Sequence, residues 1–367
     1  QKEMLSKMFG FRRLVFNKSL EMLMEEFGNL KDNKKLINKT KLMDYRDNFF
    51  RKEEFYYNLL KEIPNQVVDT ALEDLQDALQ SLWKKGKEIK YRSKKSSKDT
   101  ARIYKKNLIS FKNYPNEKYI KVIKLGKLKL AEPLRWTEGD IKLTTFTLEA
   151  GRYFISIVVD VDPPKRLKKT HKHIGFDWGI KTFLTGFDGQ DKIIMDYEKV
   201  KIRKLDNRIN KMQRKLSKHR KDSNNFAKAR TKLEQSYLNR KNYQEDEIKK
   251  LAHYLVNNYD YVTLEGLKMS FVFKNRNLSK KAGEKMFYKA KCIITKKFNQ
   301  YGKKVYELDK TFPSTQMCSK CGHIKRKEDK LKLSNRVYEC HCGLNIERDE
   351  NAARNIYFSP HKTEIIL

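Results

Sequence analysis

The chain lacks the apolar segments and signal patterns that would direct it into or across a membrane. None of its apolar runs approaches the ~20 residues that a spanning helix needs, and no compact basic amphipathic segment indicates an anchor on a lipid surface. The first residues show no charged-then-apolar secretory pattern, and since the chain does not start with methionine, it is open whether residues precede Gln1. We expect an intracellular protein, in the cytoplasm or nucleoid of a prokaryote or the nucleus of a eukaryote.

Cysteine is scarce, and two common catalytic arrangements are missing. Five cysteines are present, four of them between Cys318 and Cys342, which favours a metal site in a reducing compartment over a disulfide framework. No combination of Ser, Cys and His indicates a nucleophilic hydrolase, and no glycine-rich loop ends in Gly-Lys-Ser or Gly-Lys-Thr. Carboxylates therefore remain as the candidates for catalysis.

Basic residues dominate what is present. The 367 residues include 82 Lys and Arg against 46 Asp and Glu, which gives a net charge of +36. Such an excess is typical of a protein that binds a polyanion, and its binding should weaken steeply with salt because counterions are released. Nucleic acid is the expected partner, whereas a membrane or a small-molecule substrate is not expected. The length predicts two to four domains.

The spacing of apolar residues predicts a helical N-terminal part followed by strands. Up to about residue 95, apolar residues recur at the three and four spacing of helices. The basic stretch 84–98 has no apolar face, so that a solvated linker and a phosphate-contacting loop are both open. From about residue 100 to 165 the period changes to two, which predicts a small antiparallel sheet or barrel.

The rest of the chain predicts an α/β layer. Its elements are a strand, a second strand, a long basic helical region, a strand, a helix and a strand, over residues from 173, 182–187, 198–258, 260–265, 281–301 and 304–308. Asp188-Gly189 predicts a hairpin turn after the second strand. Within the basic region we expect two antiparallel helices with a break near residues 222–225, and contacts with a nucleic-acid backbone.

Two cysteine pairs predict a structural zinc site. They are Cys318 with Cys321 and Cys340 with Cys342, and a glycine that suits a tight turn follows each pair. Four thiolates satisfy tetrahedral Zn²⁺, and a fully occupied site has no open position for chemistry. Because only one residue separates the second pair, His341 is an alternative ligand.

Three carboxylates stand in separate contexts, Asp177 and Glu265 near the ends of apolar strand-like runs and Asp349 at the start of a helix-like segment. Singly, they have ordinary interpretations as a strand end, a surface charge and a helix N-cap. Gly175 and Gly179 flank Asp177 and should let the backbone and a ligand come close to it. Together the carboxylates are typical of a site for two divalent ions about 3.5–4 Å apart, which stabilise both oxygens of a phosphodiester displacement. We therefore predict a metal-dependent nuclease.

The C-terminal half contains four segments that resemble a known family, at residues 175–181, 264–267, 312–322 and 338–356. In them the chain resembles TnpB, the transposon-encoded RNA-guided nuclease, which is similar to the Fanzor proteins and related to the type V CRISPR effectors. The resemblance extends through nearly the whole chain. Its N-terminal half resembles the recognition domain at residues 9–17 and 60–67 and the wedge barrel at 125–130.

The resemblance implies a multidomain α+β architecture. Its parts would be a helical recognition domain, a small wedge β-barrel and a RuvC-like RNase H fold (α/β) with an inserted zinc ribbon. The implied boundaries are 1–97 for the recognition domain, 98–172 for the wedge, 173–313 and 346–367 for the nuclease fold, and 314–345 for the ribbon.

The resemblance also implies the chemistry and the partners. Asp177, Glu265 and Asp349 would hold two catalytic Mg²⁺ ions, and the four clustered cysteines would hold one structural Zn²⁺. A structured guide RNA would bind the basic surfaces and pair with one strand of double-stranded target DNA, while the protein reads only a short adjacent motif. Lys181 and Arg348 are the candidate nucleic-acid contacts. A monomer is expected rather than a dimer.

Three features depart from the family pattern. The short basic strand that usually precedes the segment 9–17 is absent, so that either the chain is truncated or the barrel closes differently. Glu347 replaces an Asp that often precedes the Arg-Asp pair, and Lys249 stands where a His is often found. The three carboxylates themselves are intact, and cleavage is therefore still expected.

Other functions remain open. A compact type V CRISPR nuclease, acting as a dimer, would share the fold and differ in the source of its guide. A guided DNA-binding repressor should lose at least one of the three carboxylates, which this chain retains. A transposase on the same fold should bind specific DNA ends without RNA.

Overall fold

The computed structural model describes residues 1–94, 98–104, 109–110, 118–134, 140–266, 285–332, 334–360 and 362–365. They form two compact units, Gln1–Asp162 and Pro163–Leu367, which we call the N-terminal and the C-terminal unit. The first residues of the helix predicted at 281–301 and part of the basic stretch 84–98 lie outside the described residues. Within the described ranges, every helix is too short or too polar to span a lipid bilayer.

The N-terminal unit begins with helices, as the apolar spacing predicts. These are α1 (Lys2–Phe27), α2 (Lys39–Asp44), α3 (Glu54–Glu62) and α4 (Gln66–Lys85), with a π-helical turn over Tyr45–Phe50. The apolar residues of α4 are buried along one face, from Val67 to Leu82, and this face packs against α1. Helix α4 ends at Gly86, whose φ of 65° is the left-handed conformation that favours glycine after a helix.

Antiparallel strands follow in the same unit, as predicted for residues 100–165. They are β1 (Asp99–Tyr104), β2 (Ile109–Ser110), β3 (Tyr119–Val122), β4 (Gly126–Lys129), β5 (Asp140–Glu149) and β6 (Arg152–Asp160). The described strands make two three-stranded sheets with the orders β1-β5-β6 and β2-β3-β4. Strand β1 packs on α1 and α4, and its Ala101 and Ile103 continue the helical core into the first sheet.

The C-terminal unit is built on a six-stranded sheet. Its strands and those of a small separate hairpin are β7 (His173–Trp178), β8 (Leu184–Phe187), β9 (Lys192–Met195), β10 (Tyr261–Leu264), β11 (Lys304–Leu308), β12 (Val337–Glu339), β13 (Asn345–Glu347) and β14 (Lys362–Glu364). The order of the large sheet is β14-β11-β10-β7-β8-β9, whereas β12 and β13 form the hairpin. Strands β7, β10 and β11 are parallel, and the predicted turn at Asp188-Gly189 joins the antiparallel strands β8 and β9.

Helices of the C-terminal unit pack on this sheet and on one another. They are α5 (Lys199–Ser217), α6 (Asn224–Asn258), α7 (Phe287–Gln300) and α8 (Arg348–Phe358). Helices α5 and α6 are the predicted antiparallel pair, because Asp206 pairs with Arg240 while the later Gln213 contacts the earlier Tyr237. Their break covers residues 218–223 and ends where the Ser223 hydroxyl caps α6.

Helix α8 lies directly against strand β7 because Gly175 has no side chain. A Cβ there would lie 2.5 Å from the backbone nitrogen of Tyr357 in α8. Likewise, a Cβ at Gly179 would lie 2.3 Å from the carbonyl oxygen of Thr182 in the following loop. The two glycines that flank Asp177 therefore permit close approach of the chain's own backbone, which is one part of the role predicted for them.

Candidate functional site

The parallel pairing of β7 and β10 brings two of the three predicted carboxylates together. Leu264 lies opposite Phe176 in the register, and the backbone N–H of Glu265 continues the ladder by donating to the Phe176 carbonyl at 3.1 Å. The carboxyl ends of parallel strands meet at the same edge of a sheet. Asp177 and Glu265 are consequently neighbours, close enough for each carboxyl group to shift the pKa of the other.

The third carboxylate reaches the site from the first turn of α8. Asp349 is the second residue of this helix, and its negative charge acts on both Asp177 and Glu265. The guanidinium of Arg348 holds Asp349 in place, donating from Nε and Nη2 to Oδ1 at 3.2 and 3.1 Å. The same guanidinium donates from Nη1 to the Asn335 carbonyl at 3.0 Å, so that it links the helix start to the preceding loop.

The burial of Asp177 and the like charges around it would favour a bound cation. Asp177 is only 7% exposed. Burial, followed by the negative charges of Glu265 and Asp349, raises the pKa of Asp177 well above its ordinary value, although Arg348 lowers it. Burial also raises the pKa of Glu265. A carboxyl group surrounded by like charge in a water-poor place favours its protonated form unless positive charge is supplied.

The donor set fits a hard divalent cation. Oxygen atoms of carboxylates are the ligands that Mg²⁺ prefers, and Mg²⁺ is typically bound by a few carboxylates together with waters and substrate phosphates. Asp177, Glu265 and Asp349 supply such oxygens from three elements of one rigid unit. Among the described residues, however, only the four clustered cysteines have ligand atoms that all lie within 4.8 Å of one another. The metal at the carboxylates and their catalytic role stay predictions.

Polar residues that sequence reasoning missed support this cluster. Ser314 is buried, and its hydroxyl donates to Glu265 Oε1 at 3.5 Å. Asn355 of α8 donates its side-chain amide to the carbonyls of Ser314 and Met317 at 2.7 and 2.6 Å. One turn earlier, Asn351 donates to the same Met317 carbonyl at 2.7 Å and accepts from a backbone N–H at position 319. In the sequence, the i, i+4 spacing of Asn351 and Asn355 indicates that both lie on the same face of a helix.

The four predicted cysteine ligands meet at one point. Their Sγ atoms all lie within 4.8 Å of one another, and the distances from Cys318 to Cys342 and from Cys321 to Cys340 are each 3.6 Å. Sulfurs bound tetrahedrally at about 2.3 Å from Zn²⁺ would be about 3.8 Å apart. The group could therefore hold a metal ion such as zinc. Among the described residues, His341 is not a member of this group, although its Nδ1 lies 3.7 Å from Cys340 Sγ.

Tight turns prepare the thiols for a metal. Gly322 and Gly343 follow the two pairs with φ of 76° and 79°, and their N–H groups donate to the carbonyls of Cys318 and Cys340. Burial raises the pKa of Cys318, but the backbone N–H groups of residues 321 and 320 and the thiols of Cys321 and Cys340 outweigh it and bring that pKa to about 7. Against the backbone N–H of residue 323, burial and the same contacts between thiols raise the pKa of Cys321, so that one proton is held within the group. A thiol that ionises readily is a good metal ligand.

The two residues predicted to contact nucleic acid differ in their exposure. Lys181 is exposed and lines a cavity of about 320 Å³ between the loop after β7 and the helices α5 and α6. Arg348, in contrast, is largely buried and bonded to Asp349. Glu347, one departure from the family pattern, forms an ion pair with Lys192 on β9. Both nucleic-acid contacts stay predictions.

Two families match the C-terminal unit, and one of the matches begins a few residues before it. Residues 156–276 match the family described as "Probable transposase", and residues 287–356 match the one described as "Cas12f1-like, TNB domain". The second range includes the four cysteines and Asp349, whereas the first includes Asp177 and Glu265.

Whole proteins resemble the chain, some of them over nearly its full length. A protein of Streptomyces pristinaespiralis, named "Putative RNA-guided DNA endonuclease", is 30% identical over 363 residues, which are 96% of this chain and 84% of that protein. The TnpB-like protein L770 of Acanthamoeba polyphaga mimivirus is 28% identical over 247 residues, 63% of this chain and 45% of that protein. Among solved structures, Cas12f1 in its complex with sgRNA and target DNA shares the mixed α/β fold with a TM-score of 0.61 at 15% identity, covering 98% of this chain and 83% of Cas12f1.

Proposed function

The chain belongs to the TnpB family, and we propose that it is the RNA-guided DNA endonuclease of a transposon. The relative from Streptomyces pristinaespiralis, whose name specifies this activity, aligns with 96% of the chain. A structured guide RNA pairs with one strand of the target, and the protein cleaves the DNA next to a short adjacent motif. The resemblance seen in the sequence is thereby confirmed at the level of the family.

The observation that carries the proposal is the cluster of buried Asp177 with the half-buried Glu265 and Asp349. Burial, followed by the negative charges of Glu265 and Asp349, raises the pKa of Asp177, so that a bound cation would stabilise its ionised form. Phosphodiester hydrolysis needs positive charge at the scissile phosphate, and the net charge of +36 favours a nucleic acid as the source of that phosphate.

The three carboxylates would hold two Mg²⁺ ions, which supply an activated water as nucleophile and stabilise the leaving oxygen of the scissile phosphate. The contributions of the chain itself are positional. Arg348 fixes the carboxylate of Asp349 through two N–H groups, and Ser314 orients Glu265. Because β7 and β10 are paired central strands, Asp177 on β7 and Glu265 directly after β10 are held beside each other by the sheet.

We also propose the finer fold assignments. The sheet with parallel β7, β10 and β11, antiparallel β8 and β9, and α8 against β7 is consistent with a RuvC-like RNase H fold over 173–313 and 346–367. The cysteine turns at 314–345 would be a zinc ribbon holding one structural Zn²⁺. The helices at 1–97 and the antiparallel sheets at 98–172 would be the recognition and wedge domains. The likeness to Cas12f1 supports this division.

Guide RNA and target DNA are the proposed partners, and α5 offers them a basic face. Lys204, Arg208, Lys211 and Lys215 are all exposed and recur at helical spacing, so that they form one stripe along the helix. Such a stripe suits the regularly spaced phosphates of a nucleic-acid backbone. We propose that the protein acts on these partners as a monomer.

A compact type V CRISPR effector is the second candidate. Its support is the match of residues 287–356 to the Cas12f1-like family and the shared fold with Cas12f1. The two candidates use the same carboxylates and differ in the RNA. Sequencing the RNA that co-purifies with the protein expressed from its native locus separates them: a scaffold joined to donor-site DNA sequence supports the TnpB function, a CRISPR repeat supports the second candidate, and no discrete RNA contradicts both.

Cleavage tests the site directly. We expect Asp177→Asn to abolish cleavage of a plasmid that carries the matching target, because the loss of one ligand charge breaks the metal site. RNA binding should be unchanged, since the substitution preserves shape. Asp191→Asn, in the exposed turn between β8 and β9, is the matched control and should cleave normally. Cleavage by the Asp177 variant at the wild-type rate would contradict the assignment of the three carboxylates.

A further inference from the structure

The N-terminal unit contains a second charged cluster, in which three arginines surround one aspartate. Asp74 of α4 binds Arg12 of α1, Arg92 from the segment after α4, and Arg102 of β1. The distance from Arg92 Nη1 to Asp74 Oδ2 is 2.6 Å. Arg12 also donates from Nη1 to the Thr100 carbonyl at 3.0 Å. These contacts join the two helices to the first sheet.

Positive charge exceeds negative charge in this cluster. The side chains of Arg12 and Asp74 are each only 10% exposed, so that little water screens them. One carboxylate offers about four acceptor positions, against about five N–H donors on every guanidinium. Among the described residues, the buried Nε atoms of Arg12 and Arg102 have no acceptor. Burial, with the charges of Arg102 and Arg92, lowers the pKa of Arg12 to about 10, although Asp74 raises it.

A cavity opens beside the cluster, which we call the arginine cavity. It has a volume of about 240 Å³ and is lined by Phe9, Arg12, Arg13, Asp74, Arg92, Lys98 and Thr100. Four of these side chains are cationic and one is anionic. The nearby Asp99 neutralises Arg13 by an ion pair, which still leaves an excess of positive charge at the wall. The volume is below the roughly 300–1,000 Å³ of pockets for drug-sized ligands, and so it suits one charged group.

We propose that the arginine cavity binds a single backbone phosphate of a nucleic acid. The inference rests on the proposed function, which brings RNA and DNA to the protein. Guanidinium groups form paired hydrogen bonds with phosphate oxygens. Such binding is most effective when the side chain already holds the planar guanidinium in one orientation. The guanidinium of Arg92 is fixed in this way, because its central carbon lies 3.7 Å from the ring centroid of Phe16.

A purely structural ion network is the competing explanation. Arg12 alone joins α1, α4 and β1 through Asp74 and Thr100, so that the network needs neither Arg92 nor Lys98 for this purpose. These two cations lie at the cavity wall, and they are the more exposed ones: the side chain of Arg92 is 27% exposed, and Lys98 is exposed. Their contribution to binding separates the two explanations.

The test measures nucleic-acid affinity against salt. Arg92→Gln and Lys98→Gln would be compared with wild type and with Lys35→Gln, a control that removes one exposed charge elsewhere in the same unit. The probes are the labelled RNA that co-purifies with wild-type protein, and a target DNA duplex added to the RNA-loaded protein. We expect each cavity variant to bind one probe about tenfold more weakly. The slope of log affinity against log salt should fall by about 0.7 for RNA or about 0.9 for duplex DNA.

The outcomes are distinct. Weaker RNA binding assigns the phosphate to the guide, weaker DNA binding assigns it to the target, and both support the proposal. Unchanged affinity and slope for both probes would overturn it. If Arg92→Gln lowers the melting temperature, the affinity of Lys98→Gln alone tests the proposal. The side chain of Lys98 makes no ion pair in the described part of the chain, so that its loss should not destabilise the fold. Failure of the wild-type protein to bind either probe would instead contradict the proposed function.

Discussion

At position 175 a side chain has no space, because the backbone of α8 occupies it. We expect Gly175→Ala to lower the free energy of unfolding by about 1–3 kcal/mol, since backbone at 2.5 Å must shift to admit a methyl group. The shift moves the helix that carries Asp349, so that DNA cleavage should fall more than RNA binding does. Chemical unfolding and cleavage assays on the same preparation measure both effects.

The control is a glycine with open space. Gly10 lies inside α1, where nothing would come within 4 Å of an added Cβ. Gly10→Ala should stabilise the protein by about 0.5–1 kcal/mol because alanine favours helix. If both substitutions changed stability equally, close packing of α8 on β7 would not be the reason for glycine at position 175.

At the scale of elements, α8 connects the carboxylate cluster to the cysteine turns. Asn351→Ala removes the acceptor of the Ser319 N–H and one donor to the Met317 carbonyl. Each buried group left without a partner costs about 1–3 kcal/mol. We expect faster hydrogen exchange over residues 314–323 and slower cleavage, with metal content retained.

Arg354→Gln is the matched control for this connection. It alters the same helix and removes a partly exposed ion pair with Glu350 and a contact with the Phe187 ring, but it leaves the bonds of Asn351 to residues 317 and 319 intact. Equal exchange in the two variants would contradict the role of Asn351.

The cysteine turns make a separate prediction about metal. We expect about one zinc per chain by elemental analysis, and its loss in Cys318→Ser together with unfolding of the segment 314–345, because metal binding and folding are coupled in such sites. Cys292→Ser should keep its zinc, since Cys292 lies on α7 outside the group of four. Wild-type protein without zinc would rule out the site.

Strand ends and a hairpin turn could be predicted from the sequence, whereas docking between elements could not. Apolar runs ending at Asp177 and Glu265 predicted two strand ends, and parallel pairing then brings the carboxylates together. The cysteine spacing likewise predicted the group of four. Ser314 carries no such pattern, and the i, i+4 spacing of Asn351 with Asn355 indicates only a shared helix face, because the roles of these residues depend on where the cysteine turns lie against α8. The ion pair of Lys192 with Glu347 depends on the same docking.

At the scale of the whole molecule, net charge sets the strength of nucleic-acid binding and its sensitivity to salt. We expect the triple variant Arg208→Gln, Lys211→Gln and Lys215→Gln to reduce the salt slope of RNA or DNA binding by about 2–3, close to one released counterion for each lost cation. The control replaces three exposed lysines of the N-terminal unit by glutamine, at positions 31, 35 and 39. Equal effects of the two triples would show that only total charge matters.

The three carboxylates come from distant points of the chain, and the last of them follows the cysteine turns. During translation the ribosome therefore releases Asp177 and Glu265 well before Asp349. A nascent chain that has folded only as far as the cysteine turns, or a proteolytic fragment that ends there, holds two of the three proposed metal ligands and should leave DNA intact. Cutting activity would thus begin only after α8 has been synthesised and has packed against β7.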